Sequence, residues 1–361
     1  MEKLLGKTPQ ELELVAMNCG FKPFVAKQLA HWLYVSKVRS IDEMTNISKN
    51  GREMIKHLYA HGASAPIGKA ESTDGTVKYL FLNEAPLGGS LIETSAIESV
   101  MIPDGDRRTL CVSSQAGCAM NCKFCMTGRG GFHGQLMASD ILNQFISIEE
   151  PEKLSNAVFM GMGEPFNNYD QVARAIEVLT ADWGFAWSPK RITVSTIGVI
   201  PVLKRFLDEQ KCHLAVSLHN PFGAERVEFM PVEKAWPIKD VIALIRQYDW
   251  SGQRRVSFEY TMFSGWNDSK RHADALIRLL KGMECRVNLI RFHKIPDFPY
   301  APSAQNVMEA FRDRLNSNGI TCTIRASRGE DIMAACGLLA GEVHKTEVNY
   351  LHNEENSRYY D

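Results

Sequence analysis

Cys118, Cys122 and Cys125 fall in the run Cys118-Ala119-Met120-Asn121-Cys122-Lys123-Phe124-Cys125, with Cys-x3-Cys-x2-Cys spacing. Three thiolates on one short loop can each bind one iron of a cubane, leaving a fourth iron open to a small molecule. Zinc is the alternative, with His133 as a fourth ligand, but structural zinc usually wants four closed ligands from paired knuckles. An aromatic residue, Phe124, stands before the last cysteine. The chain holds nine cysteines. An odd count in a long chain without a recognisable secretion signal argues for ligand or reagent thiols rather than disulfides.

Downstream, Gly161-Met162-Gly163-Glu164-Pro165 follows an apolar run. Its glycines would let backbone approach a ligand, and the Glu164 carboxylate can pair with an ammonium group. Arg191–Gly198 and Cys212–His219 place Ser195, Ser217, Leu218 and His219 after two further apolar runs, where hydroxyls suit ribose and carboxylate. Each of these is, in isolation, an ordinary turn or cap residue. Cys19, Cys212, Cys285 and Cys322 read as small buried hydrophobes. Cys111 and Cys336 differ by their company: one precedes the three-cysteine run, the other ends Arg328-Gly329-Glu330-Asp331-Ile332-Met333-Ala334-Ala335-Cys336-Gly337.

The elements that must position these groups follow from periodicity. Residues up to about Ala65 read as helical, and Thr76–Leu82, Leu91–Ile97, Ser99–Ile102 and Thr109–Ser113 as strands. Strands are then expected at Ala157–Met160, Arg191–Ser195, His213–Ser217, Val256–Thr261, Arg286–Leu289 and Thr321–Arg325. Helices fall between them at Gln171–Thr180, Ile238–Tyr248, Arg271–Met283 and Ala304–Asn318. A βαβα series implies a parallel sheet with ligands at the strands' carboxyl ends.

These motifs resemble the radical S-adenosylmethionine (SAM) superfamily, and the Cys336 segment resembles its RlmN/Cfr family, which methylates adenine in RNA. The likeness spans nearly the whole chain, from Ala26–Tyr34 and Asp42–Lys49 through Ile97–Val100 and Cys111–Cys125 to Val287–Ile290 and Arg328–Gly337. Gln115-Ala116-Gly117 is similar to the RlmN branch, where the Cfr branch tends to carry cysteine at Ala116. The resemblance implies an α/β fold, a partial (β/α)6 radical SAM barrel. It implies a helical RNA-binding accessory domain at 1–70, a β-rich extension at 71–110, the barrel at 111–345 and a tail at 346–361, the last residues frayed.

Site residues follow by position. Cys118, Cys122 and Cys125 would hold a 4Fe–4S cluster, with Gly163, Glu164, Ser195, Ser217, Leu218, His219 and His293 around SAM. His293 stands where many members carry asparagine, so the position carries over and the amide does not. Carbon 2 of adenine is electron-poor and resists direct methyl transfer, whereas a carbon radical can add to it. The family solution uses two SAM molecules per turnover: one methylates Cys336, the other yields the radical that takes hydrogen from that methyl group. The resulting radical links Cys336 to adenine, Glu98 removes the ring proton, and Cys111 attacks the Cys336 sulfur to release the base.

The implied substrates are 23S rRNA and the adenosine 3′ of the anticodon in some tRNAs, with a reductant such as flavodoxin. Forty-one basic against 42 acidic residues give a net charge of −1, so RNA must be met by a local patch. Lys123, Arg129, Lys190, Arg191, Arg254, Arg255, Lys270, Arg271, Arg325 and Arg328 are the candidates. No apolar run reaches membrane-span length, and the reading is a cytoplasmic monomer with no membrane partner. Two alternatives stay open: a Cfr-type enzyme acting at carbon 8, and a non-catalytic iron–sulfur or zinc protein that binds RNA. The second leaves Cys336 and the Gly161–Pro165 loop unexplained.

Overall fold

The computed structural model describes residues 1–83, 95–252 and 254–340. Ten strands form one sheet: β1 (Gly68–Glu71), β2 (Val77–Asn83), β3 (Ser95–Asp104), β4 (Arg107–Cys111), β5 (Asn156–Phe159), β6 (Ile192–Thr196), β7 (His213–Ser217), β8 (Val256–Met262), β9 (Arg286–Arg291) and β10 (Thr321–Ile324). Their spatial order is their chain order, β1 at one edge and β10 at the other. The first three pairings are antiparallel and the six from β4 to β10 are parallel. Right-handed crossovers explain the sequential order, since each strand–helix unit packs back beside the last. The helices are α1 (Pro9–Asn18), α2 (Val25–Ala30), α3 (Lys49–Leu58), α4 (Met126–Gly130), α5 (Ala138–Ile146), α6 (Tyr169–Thr180), α7 (Ile200–Glu209), α8 (Gly223–Phe229), α9 (Ile238–Ile245), α10 (Lys270–Leu280) and α11 (Gln305–Asn316).

Parallel strands covered on both faces normally read as unbroken apolar runs. Here they alternate. Register puts Val194 beside Leu214, Val216 beside Phe258, Phe258 beside Val287 and Val287 beside Cys322, all buried on one face. The other face carries a polar row across four strands, Ser217, Glu259, Asn288 and Thr323 in direct register. Burying the apolar face under the helices leaves polar side chains to line the concave side, as a ligand-holding barrel requires.

The antiparallel strands continue the same sheet. Its extension therefore starts at Gly68 and its parallel part at Arg107, not at the expected 71 and 111. The expected strands Leu91–Ile97 and Ser99–Ile102 are one strand from Ser95, with Glu98 in its middle; residues 91–94 and 346–361 lie outside the described part. Glu98 broke the apolar run in sequence because a buried, ion-paired carboxylate looks like a surface one.

The N-terminal unit is not wholly helical. Glu2–Lys3 and Tyr59–Ala60 pair as a short parallel ribbon that closes it, and His31–Val35 is a widened helical turn. Thr8 and Glu11 form a capping box at α1: Thr8 N–H donates to Glu11 Oε2 at 2.7 Å and Glu11 N–H to Thr8 Oγ1 at 3.3 Å. The unit docks on α5 and α6 through Lys3–Asp140 (2.6 Å), Arg174–Glu11 (3.0 Å) and Arg39, which donates to the carbonyls of Ile146 and Ile148. Its core is continuous with that of the barrel. Among the described residues no helix is long and apolar enough to cross a membrane.

Candidate active site

The cysteine loop leaves β4 and is held from three sides. Gln115–Gly117 pairs with Phe132–Gln135 in a small antiparallel ribbon. Gly117 has φ +70, and a Cβ there would lie 2.0 Å from the Gly131 carbonyl, so only glycine lets the ribbon close. That carbonyl accepts from Cys118 N–H at 2.7 Å, and Lys123 N–H donates to Phe229 O at 3.0 Å. Cys118 and Cys122 are buried and Cys125 is half-buried. Burial pushes Cys118 up to about 12 and raises Cys122 and Cys125, with Cys125 and Cys118 adding to the rise at Cys122. Three thiolates on one buried loop would need a cationic centre. The donor set fits a 4Fe–4S cluster. His133, the candidate fourth zinc ligand, has its Nε2 3.0 Å from Gly130 O.

The Gly161–Pro165 loop follows β5 as expected, but its glycines serve a different close approach. A Cβ on Gly161 would meet Ser113 Oγ at 2.7 Å, and one on Gly163 (φ +98) would meet Gln115 Cβ at 2.5 Å. The glycines thus bring the loop against the backbone leaving β4, which is stitched to it by Met162 N–H to Ser113 Oγ (2.8 Å) and Glu164 N–H to Gln115 Oε1 (2.8 Å). The Glu164 side chain is engaged within the fold: it accepts from Thr196 Oγ1 at 2.6 Å, Ile197 N–H at 3.0 Å and Phe166 N–H at 3.1 Å. Burial outweighs these donors and raises its pKa to about 7. Glu164 therefore ties β5 to β6, and any ammonium must share oxygens already in use.

Ser195 and Ser217, on the concave face, are half-buried, and their hydroxyls make no hydrogen bond to a described residue. Leu218 is fully buried, and its carbonyl accepts from Arg226 Nε at 2.9 Å. His219 is buried at φ +55; its Nδ1 accepts Thr261 N–H at 3.0 Å, and its ring meets Phe124 edge-on at 5.0 Å. Burial and the Arg226 charge lower its pKa to about 3, so the ring is neutral with its proton on Nε2. His293 is buried and pairs through Nδ1 with Glu330 at 3.2 Å, which joins the β9 exit to the Cys336 segment.

That segment lies against the cysteine loop. Met126 N–H donates to Gly337 O at 2.8 Å and Thr127 Oγ1 to Leu339 O at 2.5 Å. Asp331 accepts from Ser72 Oγ (2.5 Å) and Thr73 N–H (3.1 Å), and Asp74 accepts from Gly329 N–H (3.1 Å), so the β1–β2 turn braces the other end. Cys336 is exposed, and desolvation by the protein around it raises its pKa. Cys111 is buried at the end of β4; burial and the Cys336 charge push its pKa up. Glu98 is buried, pairs with Lys78 at 2.8 Å and accepts from Ala340 N–H at 2.8 Å. Cys19, Cys212 and Cys322 are buried; Cys285 is half-buried.

Sequence reasoning missed the groups that brace the site. Arg226 is fully buried in α8, pairs with Glu233, and donates to the carbonyls of Leu218 and Ser217 (2.8 Å to the latter). Asn267 Nδ2 holds the carbonyls of His219 and Thr261 at 2.6 and 2.7 Å. Glu259 accepts from Ser257 Oγ and Asn288 Nδ2 at 2.9 and 2.8 Å. A charged residue in an amphipathic helix reads as surface, so Arg226 gave no signal; alternation along β8 could have flagged Glu259. Four expected RNA contacts are misplaced: Lys190, Arg191, Arg254 and Arg255 precede β6 and β8, at the end away from the mouth. Arg254 there caps the carbonyls of Cys212 and Leu207.

Residues 112–276 match the Radical SAM superfamily, and residues 2–60 match the ribosomal RNA large subunit methyltransferase N-terminal domain. The chain is 56% identical to the probable dual-specificity RNA methyltransferase RlmN of Parabacteroides distasonis, over 96% of this chain and 98% of that one. Identity to the protein of the same description from Phocaeicola vulgatus is 54%, over 93% and 94%. The dual-specificity RNA methyltransferase RlmN of Syntrophus aciditrophicus is 38% identical over 92% and 94%. A solved radical SAM methyltransferase from Sphaerobacter thermophilus is similar with a TM-score of 0.88 at 36% identity, covering 95% of this chain and 100% of the other. SAM and a 4Fe–4S cluster are the cofactors this superfamily implies. With relatives this similar along nearly its whole length, the chain belongs to the RlmN family of the radical SAM superfamily.

Proposed function

We propose that the chain is an RNA methyltransferase acting on carbon 2 of an adenosine in 23S rRNA and of the adenosine 3′ of the anticodon in some tRNAs. The observation that carries this reading is the docking of the Cys336 segment on the cysteine loop through Met126 N–H and Gly337 O. It puts an accessible thiol beside the loop that fits the cluster. When bound, the cluster and SAM supply a methyl group and, from a second SAM, a carbon radical able to take hydrogen from a methyl group. Cys118, Cys122 and Cys125 would ligate the cluster, while Gly163, Glu164, Ser195, Ser217, Leu218, His219 and His293 surround SAM.

Cys336 is the thiol that carries the methyl group to the base. A solvent-open side chain on the mouth wall can meet first SAM and then a splayed adenine. Cys111 faces it from β4 and is held as a thiol by burial; on losing its proton it attacks the Cys336 sulfur, forming a disulfide as the carbon–sulfur bond breaks, and the freed carbon takes up a proton to become the product's methyl group. Glu98 takes the ring proton, which requires it to give up the Ala340 bond. The N-terminal unit clamps the RNA. A cytoplasmic monomer served by a flavodoxin-like reductant completes the reading.

The test is anaerobic reconstitution with transcripts of 23S rRNA and tRNA, followed by mass mapping of the modified adenosine. Methylation at carbon 2 supports the reading; methylation at carbon 8, or none with an intact cluster, refutes it. Cys111→Ala should accumulate a covalent protein–RNA adduct and Cys336→Ala should form none. Equal adduct from both would overturn the assigned roles.

A further inference from the structure

A cavity of about 470 Å³ opens between the carboxyl ends of β9 and β10 and the flank of α11. Arg291, Arg312 and Arg325 line it with Gln305, Ser327 and a single carboxylate, Glu330. Three guanidiniums against one carboxylate is a concentrated positive site in a chain of net charge −1. Carboxylates outside the lining meet part of that charge, Asp313 and Glu309 beside Arg312 and Glu259 near Arg325. Arg291 bonds neutral oxygens, Ser303 O at 3.2 Å and Gln305 Oε1. The Arg325 guanidinium makes no hydrogen bond or ion pair with any described residue. Arg312 pairs through Nε with its exposed neighbour Asp313 at 2.7 Å. Glu330 is itself turned to His293.

The cavity adjoins the mouth. Arg325 lies within electrostatic range of both Cys336 and Glu259, and Glu330 both lines the cavity and bonds the buried His293. A base inserted beside Cys336 must bring its own backbone along this rim. Guanidinium forks present paired N–H donors matched to two phosphate oxygens, and a cluster of them favours an anion over a neutral sugar.

We propose that this arginine-lined cavity binds a phosphodiester of the RNA strand whose adenine enters the mouth. The proposal rests on the RNA methyltransferase reading and adds the place where the strand is held. Each phosphate contact adds about 0.7 to the log–log salt slope of single-strand binding, or about fivefold in affinity at 0.1 M salt.

The experiment uses the reconstituted full chain with a 23S rRNA transcript and measures KM for RNA from 0.05 to about 0.4 M salt, a range set by that dependence. Arg312→Ala, on a helix flank, and Arg291→Gln should each raise KM by up to about fivefold at 0.1 M salt, and together they should flatten the slope by about 0.7, with kcat within about twofold. Arg312→Lys should recover most of the loss. Formation of 5′-deoxyadenosine without RNA and the KM for SAM should not change. Unchanged KM and slope for RNA in both variants would overturn the proposal, as would a loss confined to SAM. Should the unaltered chain methylate no RNA, the parent reading falls instead, before any variant is compared.

Discussion

Thr127→Val tests how the Cys336 segment is held. The Thr127 hydroxyl is buried and donates to Leu339 O at 2.5 Å, so valine keeps the shape and strands a buried carbonyl. Leaving such an acceptor unpaired costs about 1–3 kcal/mol. Taking ~2 kcal/mol, the segment's local opening becomes about 30-fold more frequent, at 1.4 kcal/mol per factor of ten. The neighbouring amides report that opening: Met126 N–H on Gly337 O, Leu338 N–H on Ala335 O, and Ala340 N–H on Glu98. Hydrogen exchange of peptides spanning 126 and 336–340 should therefore accelerate about 30-fold, while the barrel strands keep their protection. Because the same residue bonds Cys125, both proteins are compared at equal iron loading. Exchange within about twofold of the parent at those amides would refute the tether and the argument built on it.

Glu164→Gln should change the pH dependence of stability in the metal-free protein. A carboxyl raised from 4.5 to about 7 stabilises the fold below 4.5 and loses that contribution as pH rises through 7. The gap is worth ~3 kcal/mol, so the parent should lose about that much relative to the variant between pH 4.5 and 8 in urea unfolding; parallel curves would refute it. His219→Asn keeps an acceptor for Thr261 N–H and tolerates the positive φ, but removes the Nε2 donor. KM for SAM should rise roughly three- to tenfold at matched iron loading, and an unchanged KM counts against a SAM contact. Gly163→Ala forces a Cβ to 2.5 Å from Gln115 Cβ at φ +98 and should cost ~3 kcal/mol or more, read as a lower urea midpoint. A midpoint equal to the parent's would show that the loop can yield.

Strand positions were legible because β-branched runs and turn residues mark them: His213–Ser217 matches residue for residue, and most other ends shift by one or two. Three kinds of information were not local. Two-residue ribbons such as Glu2–Lys3 with Tyr59–Ala60 carry no periodicity. The glycines of Gly161–Glu164 announce a close approach but not its partner, which proved to be Ser113 and Gln115, about fifty positions earlier. Basic residues look alike on either side of a strand, so Arg254 and Arg325 were read together although one precedes β8 and the other follows β10. The candidate site was legible as a list because its motifs are compact, while its supports, Arg226, Asn267 and Glu259, were not, because burial cannot be read from residue type.

The Cys336 segment is fastened without the strand ladders that hold the barrel. The strands are locked by apolar burial on one face and ladders on both edges, which open only with the whole fold. Residues 329–340 bury Ala334, Ala335, Leu338 and Leu339 and add single polar ties: Asp74 to Gly329, Asp331 to Ser72 and Thr73, Met126 to Gly337, Thr127 to Leu339 and Glu98 to Ala340. Each tie is worth little alone, and together they fix the register of a thread whose small and aliphatic side chains flank the exposed Cys336. Under the proposed chemistry the Cys336 sulfur must face a methyl donor, then a base, then Cys111. A thread pinned at intervals permits those excursions, whereas a strand at the same position would not. The ties on either side of Cys336 come from separate parts of the chain, the β1–β2 turn on one side and the cysteine loop with β3 on the other. Loosening either end should therefore affect the sulfur's reach more than the protein's overall stability.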